Sequence, residues 1–310
     1  MYNVFPGKLT NFIFLIFFIL LFCTPISAKS ACKDKGVWLQ VLGSGGPELD
    51  DGRASSAYLI WLDGKARILI DIGSGGAMRF EQSGASLNDL DVILLSHMHV
   101  DHSNDLPALI KASYFTDRDR DLNLYGPGGN RLMPSVTVFT QALFGDEGAY
   151  RYLSDYLDGR GSYRLLPNDV DVSTKSEQGV LKNSDYRLTA VAVHHGPIPA
   201  LAWRVDINQY RLVFSGDMNN QNNVLATLAK QADLLVAHHA IPEQAGAIAK
   251  NLHMPPTVIG QIAAKAGVKQ LVLSHRMNRT LGREQASLSL IRTAYTGPIW
   301  FADDLQCFRP

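Results

Sequence analysis

Residues Ser96-His97-Met98-His99-Val100-Asp101-His102 place four metal-capable side chains within six positions. The apolar run Asp91–Ser96 (DVILLS) leads directly into them and reads as a short buried strand. Side chains alternate along a strand, so His97 and His99 leave on the same side while Asp101 and His102 follow where the chain turns. Imidazole and carboxylate are preferred donors for zinc and related divalent metals. A scatter of surface histidines would not be fed by an apolar strand. The nine histidines stand at 97, 99, 102, 194, 195, 238, 239, 253 and 275, and none precedes the cluster.

The elements that must position these groups read as strands first, then alternating α and β. Val37–Leu42 is a strand stopped by Gly43-Ser44-Gly45-Gly46-Pro47. Ser56–Leu62 and Ala66–Ile72 flank Asp63-Gly64, a hairpin signal. A helix is expected over 104–114 and a strand over 122–125. Two amphipathic helices are expected in an insertion at about 130–160, broken near Gly145-Asp146-Glu147-Gly148. Strands follow at 186–194, 201–206, 211–215, 234–237, 270–274 and 299–301, with helices at 222–231, 258–266 and 283–293. Two stacked sheets with helices outside fit this order.

The composition excludes several classes. With 29 Lys+Arg against 29 Asp+Glu, the formal net charge is zero, which argues against whole-molecule attraction to nucleic acid or anionic lipid. A hydrophobic content of 46% excludes a disordered chain, and three cysteines exclude a disulfide-dense scaffold. Lys8, the apolar run Phe12–Cys23 and the small residues before Lys29 describe a signal peptide over residues 1–28. Twelve apolar residues fall short of the roughly 20 that span a bilayer. The expectation is therefore an exported protein, periplasmic or secreted, with residues 29–310 as the mature domain and no stable membrane insertion after cleavage. Cys32 and Cys307 then remain near the two ends; an oxidising compartment permits a bridge, and the sequence leaves bridge and free thiols open.

The motif HxHxDH at 97–102 resembles that of the metallo-β-lactamase fold superfamily, and further stations occur in the family's order. Leu42–Pro47 resembles its opening strand and turn, and Asp71 resembles the buried acid that props the metal loop. Val193-His194-His195-Gly196, Ser215-Gly216-Asp217 and Leu273-Ser274-His275 resemble the remaining ligand stations. The resemblance covers about residues 36–303. It implies an α/β fold, a four-layer αββα sandwich with a helical insertion, and a two-metal site holding two Zn²⁺, with Mn²⁺ or Fe as alternatives. It implies His97, His99 and His195 on one ion, Asp101, His102 and His275 on the other, and Asp217 between them. His195 is preferred to His194 because Gly196 follows it. A metal-bridging hydroxide would be the nucleophile of a metal-dependent hydrolase.

Within the superfamily, His195 to Arg204, the stretch 233–240 and His253 resemble the ribonuclease Z branch, which also includes cyclic-nucleotide phosphodiesterases and secreted arylsulfatases. That branch carries His-Glu-Ala-Thr where this chain has Ala237-His238-His239-Ala240, and we read His239 as standing in the glutamate's place. Catalytic roles are then expected for Asp101, His239 and His253, the two histidines passing protons to the leaving group. The insertion is expected to act as a lid, and Arg276 and Arg279 to hold an anionic ester. With an exported chain and no basic arm, nucleic acid is expected to be an unlikely substrate. The favoured function is hydrolysis of small phosphate or sulfate esters, by a possible homodimer. The alternatives are a ribonuclease Z-like RNA phosphodiesterase and a metal-binding protein without turnover.

Overall fold

The computed structural model describes residues 1–3, 32 and 35–310. Residues 4–28 of the expected signal peptide, and its cleavage site, lie outside the described residues. Among the described residues, no helix is long and apolar enough to cross a membrane.

In chain order, β1 (Val37–Gly43), β2 (Ala57–Leu62) and β3 (Lys65–Ile72) lead to α1 (Gly76–Ser83). Then come β4 (Val92–Leu94), α2 (Val100–Ser103), α3 (Leu106–Ser113), β5 (Leu122–Pro127), α4 (Val136–Phe144), a 3-10 turn at Arg151–Leu153 and α5 (Asp155–Asp158). The second half holds β6 (Leu165–Val170), β7 (Gln178–Lys182), β8 (Tyr186–His195), β9 (Ile198–Ile207), β10 (Tyr210–Phe214), α6 (Leu225–Leu228) and β11 (Leu234–His238). It closes with α7 (Ala247–Leu252), α8 (Pro256–Ala266), β12 (Gln270–Ser274), α9 (Glu284–Ile291), β13 (Ile299–Phe301) and β14 (Cys307–Phe308).

The strands form two seven-stranded sheets, ordered β14-β1-β2-β3-β4-β5-β6 and β13-β12-β11-β10-β9-β8-β7. Alternation sorts their side chains into three apolar layers. Ile60, Ile70 and Leu94 of the first sheet meet Leu188, Trp203 and Val236 of the second in the central core. Leu59, Leu69 and Ile93 face the other way, toward α1, α3 and α4. Leu235, Ala237 and Leu273 face the outer layer that includes Ile259 and Ala263 of α8. This is the expected αββα sandwich. Asp63 and Gly64 both take positive φ, 51° and 79°, as a tight β2–β3 hairpin requires.

Two bonds join the sheets beneath the histidine cluster. Trp203 Nε1 donates to Leu95 O at 3.1 Å, and Leu201 N donates to Ser96 O at 2.8 Å. Far from these, Cys32 and Cys307 form a disulfide with Cα atoms 5.7 Å apart. It ties residue 32 to β14, the strand beside β1.

The insertion does not form the expected lid. Val136, Phe144, Leu153 and Tyr156 are buried in the outer core of the first sheet, with Leu109 and Ile110 of α3. These side chains are thus used in covering the sheet, while Val138, Tyr150 and Tyr152 are exposed. Its leading loop approaches the second sheet's turn, where Asn130 Nδ2 donates to Pro197 O at 2.9 Å.

Candidate metal centre

The site is built on strand ends, beginning with a brace. Asp71 ends β3 with φ 55°, a left-handed conformation that an aspartate adopts more readily than most residues. Its buried carboxylate accepts from Ser96 N at 2.7 Å and Ser96 Oγ at 2.8 Å. It also meets His102 Nδ1 at 2.8 Å. Since an ionised carboxylate only accepts, Nδ1 of His102 carries a proton toward Asp71, which leaves Nε2 as the atom that faces the cluster. Gly73 lets the two segments touch, because a Cβ there would lie 2.1 Å from Asp101 O.

Other imidazoles are tied back in the same way. His195 Nδ1 donates to Leu252 O at 2.9 Å, and His97 Nδ1 lies 3.1 Å from Ser96 Oγ. Their Nε2 atoms point inward with His99. His97 Nε2 lies 3.0 Å from His99 Nδ1, and His195 Nε2 lies 3.4 Å from the same atom. Tetrahedral bonds of 2.0–2.1 Å separate zinc's nitrogen ligands by roughly 3.3 Å, so this spacing fits a bound ion.

A second group faces the first. His275 Nε2 lies 3.1 Å from Asp101 Oδ2 and 3.4 Å from Asp217 Oδ1. His102 Nε2 lies 3.5 Å from Asp101 Oδ2 and 3.8 Å from Asp217 Oδ2. It is buried with no hydrogen-bond partner, an arrangement that costs stability unless a cation or proton fills the gap. Asp217 stands between the groups, with Oδ2 also 3.7 Å from His195 Nε2. The seven expected ligands, His97, His99, Asp101, His102, His195, Asp217 and His275, therefore converge. Of the 194/195 pair it is His195 that joins them. His194 Nε2 lies 3.3 Å from Asn251 Oδ1 instead.

The glycine-rich turn after β1 serves the last of these residues. Arg276 N donates to Ser44 O at 2.8 Å, and a Cβ on Gly46 would lie 2.9 Å from His275 Cε1. His275 itself takes φ 52°.

Electrostatics follow from burying two acids among imidazoles. Burial drives His97 well below the ordinary histidine range, and the charge of His102 adds to it. Burial would also lower His102, but Asp101 and then Asp71 overcome it and raise it well above. Burial likewise opposes the charge of Asp217, yet His275 and His253 hold it well below the carboxylate range. Protons on His102 and His275 thus occupy positions that divalent ions would take, and binding must displace them.

His239 departs from expectation. Its Nε2 meets Ser287 Oγ at 2.8 Å, and its ring lies 5.8 Å from that of Phe301. The residue that joins the cluster is its neighbour His238, whose Nδ1 is 2.7 Å from Asp217 Oδ1. Strand alternation explains the exchange. Leu234 and Val236 of β11 face the central core, and His238 continues that row, whereas Leu235 and Ala237 face outward with His239 next in line. That parity was available in the sequence.

His253 does reach the site. It caps α7, with Nδ1 3.7 Å from Asp217 Oδ2 and its ring 5.8 Å from His275. Burial pushes its pKa down to about 3. Arg276 is not free to hold an anion, being buried and paired with Glu284 and Asp303. Arg279 Nε donates to Ala240 O at 2.6 Å.

Comparisons with known proteins agree with this geometry. The family model described as Beta-lactamase superfamily domain matches residues 66–276. The chain therefore belongs to the metallo-β-lactamase superfamily, whose described fold and convergent His/Asp cluster make it a metal-dependent hydrolase that binds divalent metal. Within the superfamily it belongs to the ribonuclease Z-like branch. It is 30% identical over 279 residues to Ribonuclease Z of Mycobacterium sp. (strain KMS), covering 86% of this chain and 93% of that protein. Two solved structures share the fold. The metallo-beta-lactamase fold protein YhfI from Bacillus subtilis has a TM-score of 0.70 at 20% identity, over 88% of this chain and 98% of that one. Human tRNase Z, short form, has a TM-score of 0.66 at 18% identity with the same coverage.

These relatives correct one expectation. Near-neutral charge and an apolar leader argued that nucleic acid is an unlikely substrate. Similarity to proteins named Ribonuclease Z along most of the chain overturns that argument. A zero sum constrains only long-range attraction, whereas a substrate is selected by local contacts at the site.

Proposed function

We propose that this protein hydrolyses phosphodiester bonds in RNA, using two zinc ions held by His97, His99 and His195 on one side and Asp101, His102 and His275 on the other, with Asp217 shared. Mn²⁺ or Fe are the alternative ions. The observation that carries the reading is the placement of Asp217, whose two oxygens face both imidazole groups at 3.4–3.8 Å. When bound, the ions supply Lewis acidity, activating water and offsetting charge on the phosphate. No Ser or Cys nucleophile is needed.

The chain's own groups supply the rest. Asp101 Oδ2, 3.1 Å from His275 Nε2, would share the second ion with it. His253, buried beside Asp217 and neutral near pH 7, would take up the proton that the attacking water loses and pass it to the oxygen that leaves when the P–O bond breaks. Small phosphate or sulfate esters are the second reading, because the leading loop of the insertion meets the turn after His195, with Asn130 Nδ2 on Pro197 O. Export is part of the proposal. The leader-like composition of residues 1–28 supports it, as does the Cys32–Cys307 disulfide, a bond typical of oxidising compartments.

The test is metal analysis of the purified protein combined with hydrolysis of a structured RNA, a chromogenic phosphodiester and an aryl sulfate. RNA cleavage at or above the rate of the small esters, abolished by Asp101→Ala, is expected. Turnover of aryl sulfate alone moves the reading to the second. A protein fully loaded with metal and inert on all three overturns both.

A further inference from the structure

His238 has no free ring nitrogen. Nδ1 lies 2.7 Å from Asp217 Oδ1, and Nε2 lies 3.1 Å from Tyr58 Oη. Tyr58 comes from β2 of the opposite sheet, is fully buried, and also contacts Ser274 Oγ at 3.0 Å, one residue before His275. The ring is thus clamped between the two sheets, with the Tyr58 and His238 ring centres 6.0 Å apart.

The chemistry of the short contact has one solution. An ionised carboxylate has no proton to give, so the 2.7 Å approach requires a proton on His238 Nδ1. We propose that His238 is a positioning residue for Asp217: its Nδ1–H fixes Oδ1, and this aims Oδ2 into the space between His195 Nε2 and His102 Nε2. His238 Nε2 is turned to buried Tyr58 rather than to the space between the ligands, which leaves His253 as the residue placed for transfer to the leaving group. His253 fits that division, since its Nδ1 is buried and has no hydrogen-bond partner. The inference rests on reading the cluster as a metal site, but two of its three readouts do not involve turnover.

The first readout is nitrogen-15 NMR of the metal-free wild-type protein at pH 8. A proton on His238 Nδ1 is expected, and a bare Nδ1 overturns the proposal. The second is zinc affinity measured by chelator competition. His238→Leu is expected to weaken it by about 10- to 100-fold, the usual cost of losing a residue that orients a ligand. His238→Asn, whose amide NH₂ takes the place of Nδ1–H, is expected to restore most of that loss. Equal losses in two folded variants overturn the positioning role. Tyr58→Phe removes the far clamp without touching Asp217 and is expected to give a smaller loss; affinity unchanged from wild type removes Tyr58 from the proposal. The third readout is hydrolysis, where His238→Asn is expected to keep the wild-type dependence on leaving-group pKa. Failure of all hydrolysis with Nδ1 protonated and affinity behaving as expected counts against the proposed substrate, not against His238.

Discussion

The two sheets supply the site in different ways. The first delivers His97, His99, Asp101 and His102 on one segment after β4, braced by Asp71 from the adjacent strand through Ser96 and His102. The second delivers His195, Asp217, His238 and His275 from the ends of four strands, with His253 from a helix cap. The first half is held by local hydrogen bonds. The second depends on strand register, because a one-residue change exchanges inward and outward rows, as His238 and His239 show. A site with one local and one distributed half should fail differently on each side.

The largest effect is expected at the junction. Asp217→Ala removes the carboxylate common to both halves and should lower hydrolysis by more than about 10³-fold, with metal content falling in parallel. Wild-type metal content in that variant would break the comparison, since the halves would then bind independently. His253→Ala should lower cleavage of a poor leaving group by about 10²–10⁴-fold while sparing a p-nitrophenyl ester, which needs no proton. Equal losses on both substrates would remove it from proton transfer.

Acid should act through the raised histidines. His102 and His275 titrate above the ordinary histidine range, so protons already compete with metal near neutrality. Metal affinity should fall as pH drops through those values, with protons released on binding at neutral pH; calorimetry in buffers of different ionisation enthalpy counts them. Binding without proton release would deny that these two are ligands.

The brace and the outward row give smaller effects. Gly73→Ala forces a Cβ against Asp101 O and should cost roughly 1–3 kcal/mol in thermal unfolding, as overpacking does. His239→Gln should leave hydrolysis near the wild-type rate, read on the same RNA. Burial holds His239 down to about 4, so between pH 6.5 and about 4 the unfolded chain binds the extra proton and the folded protein loses stability as pH falls. His239→Gln should flatten that part of the pH–stability curve.

The misread elements have physical causes. A helix over 222–231 shrinks to Leu225–Leu228, because Asn220, Asn223 and Gln231 all adopt positive φ, which helix geometry excludes. The strand at Leu165–Val170 escaped notice because it contains Pro167, which an outer strand tolerates. Polar β7 is likewise the outermost strand of its sheet. The insertion's aromatics were legible as amphipathic, but amphipathicity does not say which surface they cover.

By itself the sequence determined the sandwich, the HxHxDH segment, the brace at Asp71 and the order of the remaining stations. All of these are local, or are read from short motifs whose chemistry permits few alternatives. The sequence preferred His195 to His194 and held the parity that separates His238 from His239, but only the tertiary structure decided which row of β11 faces the cluster. It also committed Arg276 to Glu284 and Asp303 and laid the insertion over the first sheet. Those outcomes depend on which face of a strand end meets the opposite sheet, and that is set by packing between residues far apart in the chain.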